Sequence, residues 1–154
     1  MTTSAGLREE ISGAFQNAHY PGDDRIVSHE CWECTEVTNA FKGTRWQDWI
    51  DRPPEDLCMR GGGIFLLSPE AFRYFLPAYL IVSLKDEKNH IQHQVLGALQ
   101  RKADGFTPNQ AKVIKKYLQF TALEDLNCLS QPEQIKPAID VFEKIYPSGK
   151  TNAR

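Results

Sequence analysis

The segment 29–34, HECWEC, holds the densest set of possible metal ligands in the sequence. Cys31 and Cys34 form a Cys-x-x-Cys pair, and His29 stands two positions before it. Thiolate and imidazole are preferred ligands of zinc, so these side chains can supply three ligands of a tetrahedral site, with Cys58 as the fourth. A second Cys-x-x-Cys or a His pair at zinc-finger spacing is missing. Zinc binding is therefore one interpretation of the segment.

The same cysteines also have a structural interpretation. If the segment is helical, Cys31 and Cys34 share a face with Val37 and Phe41, which is typical of small core residues. A redox pair is a weaker interpretation, because such pairs usually stand at a helix start beside a β-α-β unit. Four cysteines, the last being Cys128, are too few for a disulfide scaffold in a chain of this length, so we expect reduced thiols in a cytoplasmic protein.

Two neighbouring carboxylates, Asp23 and Asp24, follow Pro21-Gly22 in a predicted turn. Paired carboxylates can bind a divalent cation or position a water, as a small metal-dependent hydrolase would require. Aspartate is also common in turns because its side chain bonds nearby backbone N–H groups. Ser68 lacks the Gly-x-Ser-x-Gly setting of a hydrolase nucleophile. The sequence thus leaves enzymatic activity open and favours a protein that is not an enzyme.

Trp46 and Trp49 flank a short segment near this acidic turn. Tryptophan is enriched at interface hot spots, and it also packs in cores with its indole N–H bonded. Exposed tryptophans beside Asp23 and Asp24 would suit a basic protein partner, because complementary charge speeds association. We therefore expect a protein-binding module, for example an immunity-type protein that masks a toxin. Zinc binding through His29, Cys31, Cys34 and Cys58, or hydrolysis at the aspartates, is the alternative.

The composition limits the remaining possibilities. A chain of 154 residues fits one helical domain over 1–154, with frayed ends at 1–4 and 148–154. A net charge of −2 argues against nucleic acid as the main partner. The longest apolar stretch, 71–84, is interrupted by Arg73 and Pro77 and is too short to cross a bilayer, so no membrane partner is expected. The oligomeric state stays open.

Helical periodicity recurs along the chain and strand alternation does not, which predicts an all-α fold. The clearest signal begins at Ser68, which can cap a helix that starts at Pro69 with Glu70 at its positive end. The residues that follow are apolar on every side, which is typical of a helix that others surround. We therefore predict a buried central helix over 69–85 in a compact bundle of about five main helices.

The other main helices are predicted from their apolar stripes and caps. They span 4–18, the residues between Ser28 and Gly43, those after Thr107-Pro108, and those after Ser130-Gln131-Pro132 or Pro137. The stretch 89–102 stays open, because its apolar spacing suits a helix and Gly97 weakens one. Trp46–Ile50 and Pro54–Leu57 predict short elements. Gly61-Gly62-Gly63 should interrupt regular structure, and Ile64–Leu67 is interpreted as a brief extended run.

The stretch LSPEAFRYFLPAYL at 67–80, with YPGDD at 20–24 and AFKG at 40–43, resembles a family of small bacterial proteins that is described as a domain of unknown function. The resemblance covers residues from about Leu7 to Leu123. It implies a bacterial, cytoplasmic and mainly helical protein. The family has no assigned activity or catalytic residues, so the resemblance assigns no role to any residue of this chain.

Overall fold

The computed structural model describes residues 2–58, 63–85, 91–124 and 132–148. These residues confirm the all-α class. The α-helices are α1 (Ser4–Phe15), α2 (Trp32–Phe41), α3 (Pro54–Cys58), α4 (Gly63–Leu66), α5 (Pro69–Lys85), α6 (Gln92–Arg101), α7 (Pro108–Glu124) and α8 (Pro132–Ile145). Two 3₁₀ turns, η1 (Asp23–Arg25) and η2 (Trp46–Trp49), lie between the first helices. No helix in the described part of the chain is both long and apolar enough to cross a membrane.

The central helix α5 occupies the predicted residues 69–85. Its start is fixed by Ser68, whose Oγ accepts a hydrogen bond from the Ala71 N–H at 3.0 Å and donates one to the Arg25 carbonyl at 2.5 Å. From Ala71 to Ser83 every side chain except that of Arg73 is buried. Helices α1 and α6 and the turn η2 pack against α5, so the helix is surrounded as its composition predicts.

The outer helices complete the core and follow local capping signals. Helix α1 packs on α5 and α7, and α8 packs on α6 and α7. Thr107 begins α7 as predicted, because its Oγ1 accepts from the Gln110 N–H at 3.1 Å while the Gln110 Oε1 accepts from the Thr107 N–H at 3.1 Å. Helix α1 ends at Phe15, three residues before the predicted end. Pro137 lies inside α8 and does not begin it.

The expectation of an extended run at 64–67 is wrong for most of its length. Residues Gly63–Leu66 form the short helix α4, and only Leu67 pairs as a strand would, in an isolated antiparallel bridge with Val27. Lys102 explains the difference, because its Nζ donates to the carbonyls of Ile64, Phe65 and Leu67 at 3.4, 3.3 and 2.7 Å. A distant lysine thus satisfies the carbonyl groups that end this helical turn. Gly61, Gly62 and the tail beyond 148 lie outside the described residues.

Candidate functional site

The Cys-x-x-Cys pair stands at the first turn of α2. Cys31 is the N-cap residue, with extended backbone angles, and its Sγ accepts a hydrogen bond from the Cys34 N–H at 3.2 Å. A sulfur atom here takes the place of the serine or aspartate oxygen that usually caps a helix. The cap turns the Cys31 side chain back over the first turn, toward Cys34.

His29 completes a compact group with these two cysteines. Its Nδ1 lies 3.6 Å and its Nε2 3.8 Å from the Cys34 Sγ. One ligand atom from each of His29, Cys31 and Cys34 lies within 4.8 Å of the others. An imidazole nitrogen and a thiolate bound to one tetrahedral zinc ion would be about 3.6 Å apart. This His–Cys–Cys group, meaning these three side chains, could therefore hold a metal ion.

The three members of the His–Cys–Cys group differ in exposure. Cys34 is 1% exposed, Cys31 is intermediate, and His29 is exposed. Burial raises the pKa of the Cys34 thiol to about 11, and the hydrogen bond and charge of Cys31 and the charge of Glu33 add to the rise. A metal ion would displace this proton, since metal binding stabilises the thiolate that burial disfavours. Because His29 is the exposed member, the group is open to solvent on the His29 side.

The predicted fourth ligand, Cys58, does not belong to the His–Cys–Cys group. Cys58 is the last residue of α3 and packs against the hydrophobic core. The spacing of cysteines in the sequence does not show where α3 lies in the fold. Spacing alone therefore could not exclude Cys58 as a fourth ligand. Cys128 lies outside the described residues.

The acidic turn is built largely for internal bonding. Asp23 Oδ1 accepts from the Tyr20 hydroxyl and from the Gly43 N–H, the latter at 3.2 Å, and the Tyr20 oxygen accepts from the same N–H at 2.7 Å. Gly43 has a φ of +73°, which suits glycine and places its N–H toward the turn. Both aspartates are exposed, and Asp23 ties the turn to the end of α2. This geometry supports the structural interpretation of the pair.

The predicted tryptophan surface is not formed. Trp46 and Trp49 are each 2% exposed. The Trp46 Nε1–H donates to the Phe15 carbonyl at 3.3 Å, and the Trp49 Nε1–H donates to Thr44 Oγ1 at 3.0 Å. The Trp49 ring lies 4.7 Å from that of Phe41, centroid to centroid. Both indoles belong to the core, and their N–H groups are satisfied within the chain, so neither presents a face to a partner.

The exposed tryptophan of the described residues is Trp32, which was not among the predicted contact residues. Its side chain is 63% exposed on the first turn of α2. Glu30, Glu33 and Glu36 around it are also exposed, and Glu36 shares its helix face because it follows one turn later. The combination of tryptophan and acids that was expected at Trp46 and Trp49 therefore occurs beside the His–Cys–Cys group. Glu33 and Glu36, close to a tryptophan at the start of a short helix, were the sequence signal that could have identified this surface.

Residues 27–135 match the model of a family described as "Family of unknown function (DUF6714)", and the chain belongs to this family. The match includes the His–Cys–Cys group and the central helix, whereas α1 and the acidic turn precede it. No curated protein and no solved structure matches the chain.

Proposed function

We propose that this protein binds a zinc ion through His29, Cys31 and Cys34. The observation that carries the proposal is the convergence of three ligand atoms within 4.8 Å of one another at one helix start. Two soft thiolates and one imidazole form a set that favours zinc over magnesium or calcium, which prefer oxygen ligands. The separation of His29 Nδ1 from Cys34 Sγ, 3.6 Å, supports the same assignment.

A zinc ion held by three protein ligands keeps one coordination position for water or for an outside donor. The exposure of His29 supports a site whose open position would face solvent. The fixed cap at Cys31 and the burial of Cys34 hold two ligands before the metal arrives. Such preorganisation reduces the ordering that binding requires.

Cobalt substitution tests this proposal directly. Reduced, metal-free protein is titrated with Co²⁺, and the visible absorption of tetrahedral cobalt and its thiolate charge-transfer bands are recorded before zinc is added in competition. We expect one Co²⁺ per chain, replaced by one Zn²⁺. Cys34→Ser and His29→Gln should weaken binding by about 10-fold or more, since each removes a ligand.

Cys58→Ser provides the matched control, because Cys58 lies outside the His–Cys–Cys group. Its titration should overlay that of the unmodified protein. Cobalt spectra that stay unchanged in His29→Gln and in Cys34→Ser would refute the site. A loss of binding in Cys58→Ser alone would move the site to a different set of ligands.

A second candidate function is the binding of a basic protein partner, and Trp32 is the observation that favours it. A 63% exposed indole among Glu30, Glu33 and Glu36 offers the aromatic anchor and the negative charge that such an interface uses. An immunity-type protein that masks a basic toxin would have this kind of surface. Trp32 is thus the proposed contact residue, in place of the buried Trp46 and Trp49.

Calorimetry with a purified partner tests this second proposal. The candidate partner is recovered with the tagged protein, identified, and purified separately. Trp32→Ala should weaken its affinity by about 30-fold or more, as expected for a hot spot, and Glu33→Lys should slow association. Asp24→Asn is the control, because this carboxylate lies outside α2. Equal affinity for Trp32→Ala and the unmodified protein would exclude this surface.

A further inference from the structure

The arrangement of Cys31 and Cys34 also suits a reaction that needs no metal. Cys31 stands at the N-cap of α2, beside the free N–H groups of the first turn. Its Sγ already accepts a hydrogen bond from the Cys34 N–H at 3.2 Å. Both sulfurs belong to a group whose atoms lie within 4.8 Å of one another. Two thiols this close, one of them partly exposed, are placed to exchange with an outside disulfide.

The two cysteines differ in access, and this difference divides their roles. Cys31 is partly exposed, whereas Cys34 is 1% exposed. An outside molecule can therefore approach the sulfur of Cys31 and is kept from that of Cys34. Once Cys31 carries a bound group, Cys34 is the thiol of the described residues that lies close enough to displace it. This placement supports a redox role for the Cys-x-x-Cys pair. The described residues contain no β-α-β unit, but the start of α2 alone positions the two cysteines.

We infer that Cys31 and Cys34 form a dithiol that reduces disulfides by thiol–disulfide exchange. The Cys31 thiolate attacks one sulfur of a small disulfide, such as glutathione disulfide. A bond forms between Cys31 and that sulfur, and the other sulfur leaves as a thiolate. Cys34 then loses its proton and attacks Cys31, which forms the Cys31–Cys34 disulfide and releases the second thiolate. Two electrons pass from the protein to the disulfide, and the two thiol protons go to the products.

This inference uses two side chains of the proposed zinc site but does not depend on zinc. Metal binding and disulfide formation exclude each other, because both consume the same thiolates. His29 is a zinc ligand in the proposed function, and its Nδ1 lies 3.6 Å from the Cys34 Sγ. The sulfur–sulfur bonds of the exchange form only at Cys31 and Cys34.

The test uses full-length, reduced protein freed of metal by a chelator, with Cys58 and Cys128 replaced by serine to remove background thiols. The protein is equilibrated with glutathione disulfide, quenched in acid, and examined by intact and peptide mass spectrometry. We expect a Cys31–Cys34 disulfide and release of two glutathione molecules per chain. Cys34→Ser should stop at a mixed disulfide between Cys31 and glutathione, and Cys31→Ser should lose the reaction.

Separate readouts make the two proposals distinguishable, because Co²⁺ titration tests the zinc site and mass spectrometry after incubation with glutathione disulfide tests the dithiol. Failure to form the Cys31–Cys34 disulfide in folded protein, verified by circular dichroism, would overturn the dithiol while leaving zinc binding intact. Exchange without any Co²⁺ binding by the unmodified protein would support the dithiol and refute the zinc site. A mixed disulfide that forms at Cys34 in preference to Cys31 would contradict the assigned roles.

Discussion

Trp46 and Trp49 on the turn η2 and Trp32 on α2 have similar sequence surroundings and different structural positions. All three have acidic residues nearby in the sequence. Trp46 and Trp49 are 2% exposed and donate their N–H groups to Phe15 and Thr44, whereas Trp32 is 63% exposed. The comparison teaches that residue type and neighbouring charge do not separate a core tryptophan from a surface one. Tertiary contacts do separate them, since the Trp46 N–H donates to Phe15, 31 positions earlier, and the Trp49 ring packs on that of Phe41.

The strongest test of this comparison replaces each kind of tryptophan by alanine. Trp49→Ala removes a buried indole that packs on Phe41, and it should lower the free energy of unfolding by about 3–5 kcal/mol. Trp32→Ala should change it by less than about 0.5 kcal/mol. Urea denaturation followed by circular dichroism measures both values. Equal losses in the two variants would contradict the assignment of core and surface.

A smaller effect is expected from zinc at the His–Cys–Cys group. Zinc that binds the folded chain should raise the free energy of unfolding by about 2.7 kcal/mol when free zinc is 100 times the dissociation constant. Denaturation of reduced protein with and without zinc measures this gain. Cys34→Ser should lose it, and Trp49→Ala should retain it because Trp49 lies outside the group. A gain that survives in Cys34→Ser would point to zinc bound elsewhere.

The aspartate pair should show a difference of about 1 kcal/mol. Asp23→Ala removes the acceptor of the Tyr20 hydroxyl and of the Gly43 N–H, so the free energy of unfolding should fall by about 1 kcal/mol. Asp24→Ala, the matched neighbour, should leave it within about 0.5 kcal/mol. Thermal and urea denaturation compare the two. If Asp24→Ala is the more damaging change, the assignment of Asp23 to the turn is wrong.

The smallest expected effect concerns Asp48, between the two buried tryptophans. The Arg45 N–H donates to its carboxylate at 2.8 Å and lowers the pKa of Asp48. Since the folded pKa lies below the ordinary value of about 3.9, the stabilisation is present above that pH and is lost as pH falls through the folded pKa. The stability difference between the unmodified protein and Asp48→Asn, measured by urea denaturation, should shrink over this range. A difference independent of pH would exclude the charge as its origin.

The helix starts were predictable because their signals are local. Ser68-Pro69 and Thr107-Pro108 contain the cap and the first helical residue together, and the apolar faces that follow identify the buried helix α5. The His–Cys–Cys group was predictable for the same reason, since its members lie within six consecutive positions.

The features that the sequence did not reveal depend on contacts between distant residues. The N–H of the buried Trp46 donates to the Phe15 carbonyl, 31 positions earlier, and Asp23 accepts from the Gly43 N–H, 20 positions later. The helical turn α4 was not predictable because Lys102, which donates to the carbonyls of Ile64, Phe65 and Leu67, follows them by 35 or more positions. A short apolar run has no periodicity that would settle helix against strand without such a partner.

The different burial of the tryptophans has an optical consequence. Since indole emission shifts to longer wavelength in water, we expect Trp32, 63% exposed, to emit at the red edge of the spectrum and the buried Trp46 and Trp49 at the blue edge. Trp32 directly follows Cys31 in the chain. The protein therefore carries its own fluorophore beside the His–Cys–Cys group, together with two internal references that report on the core.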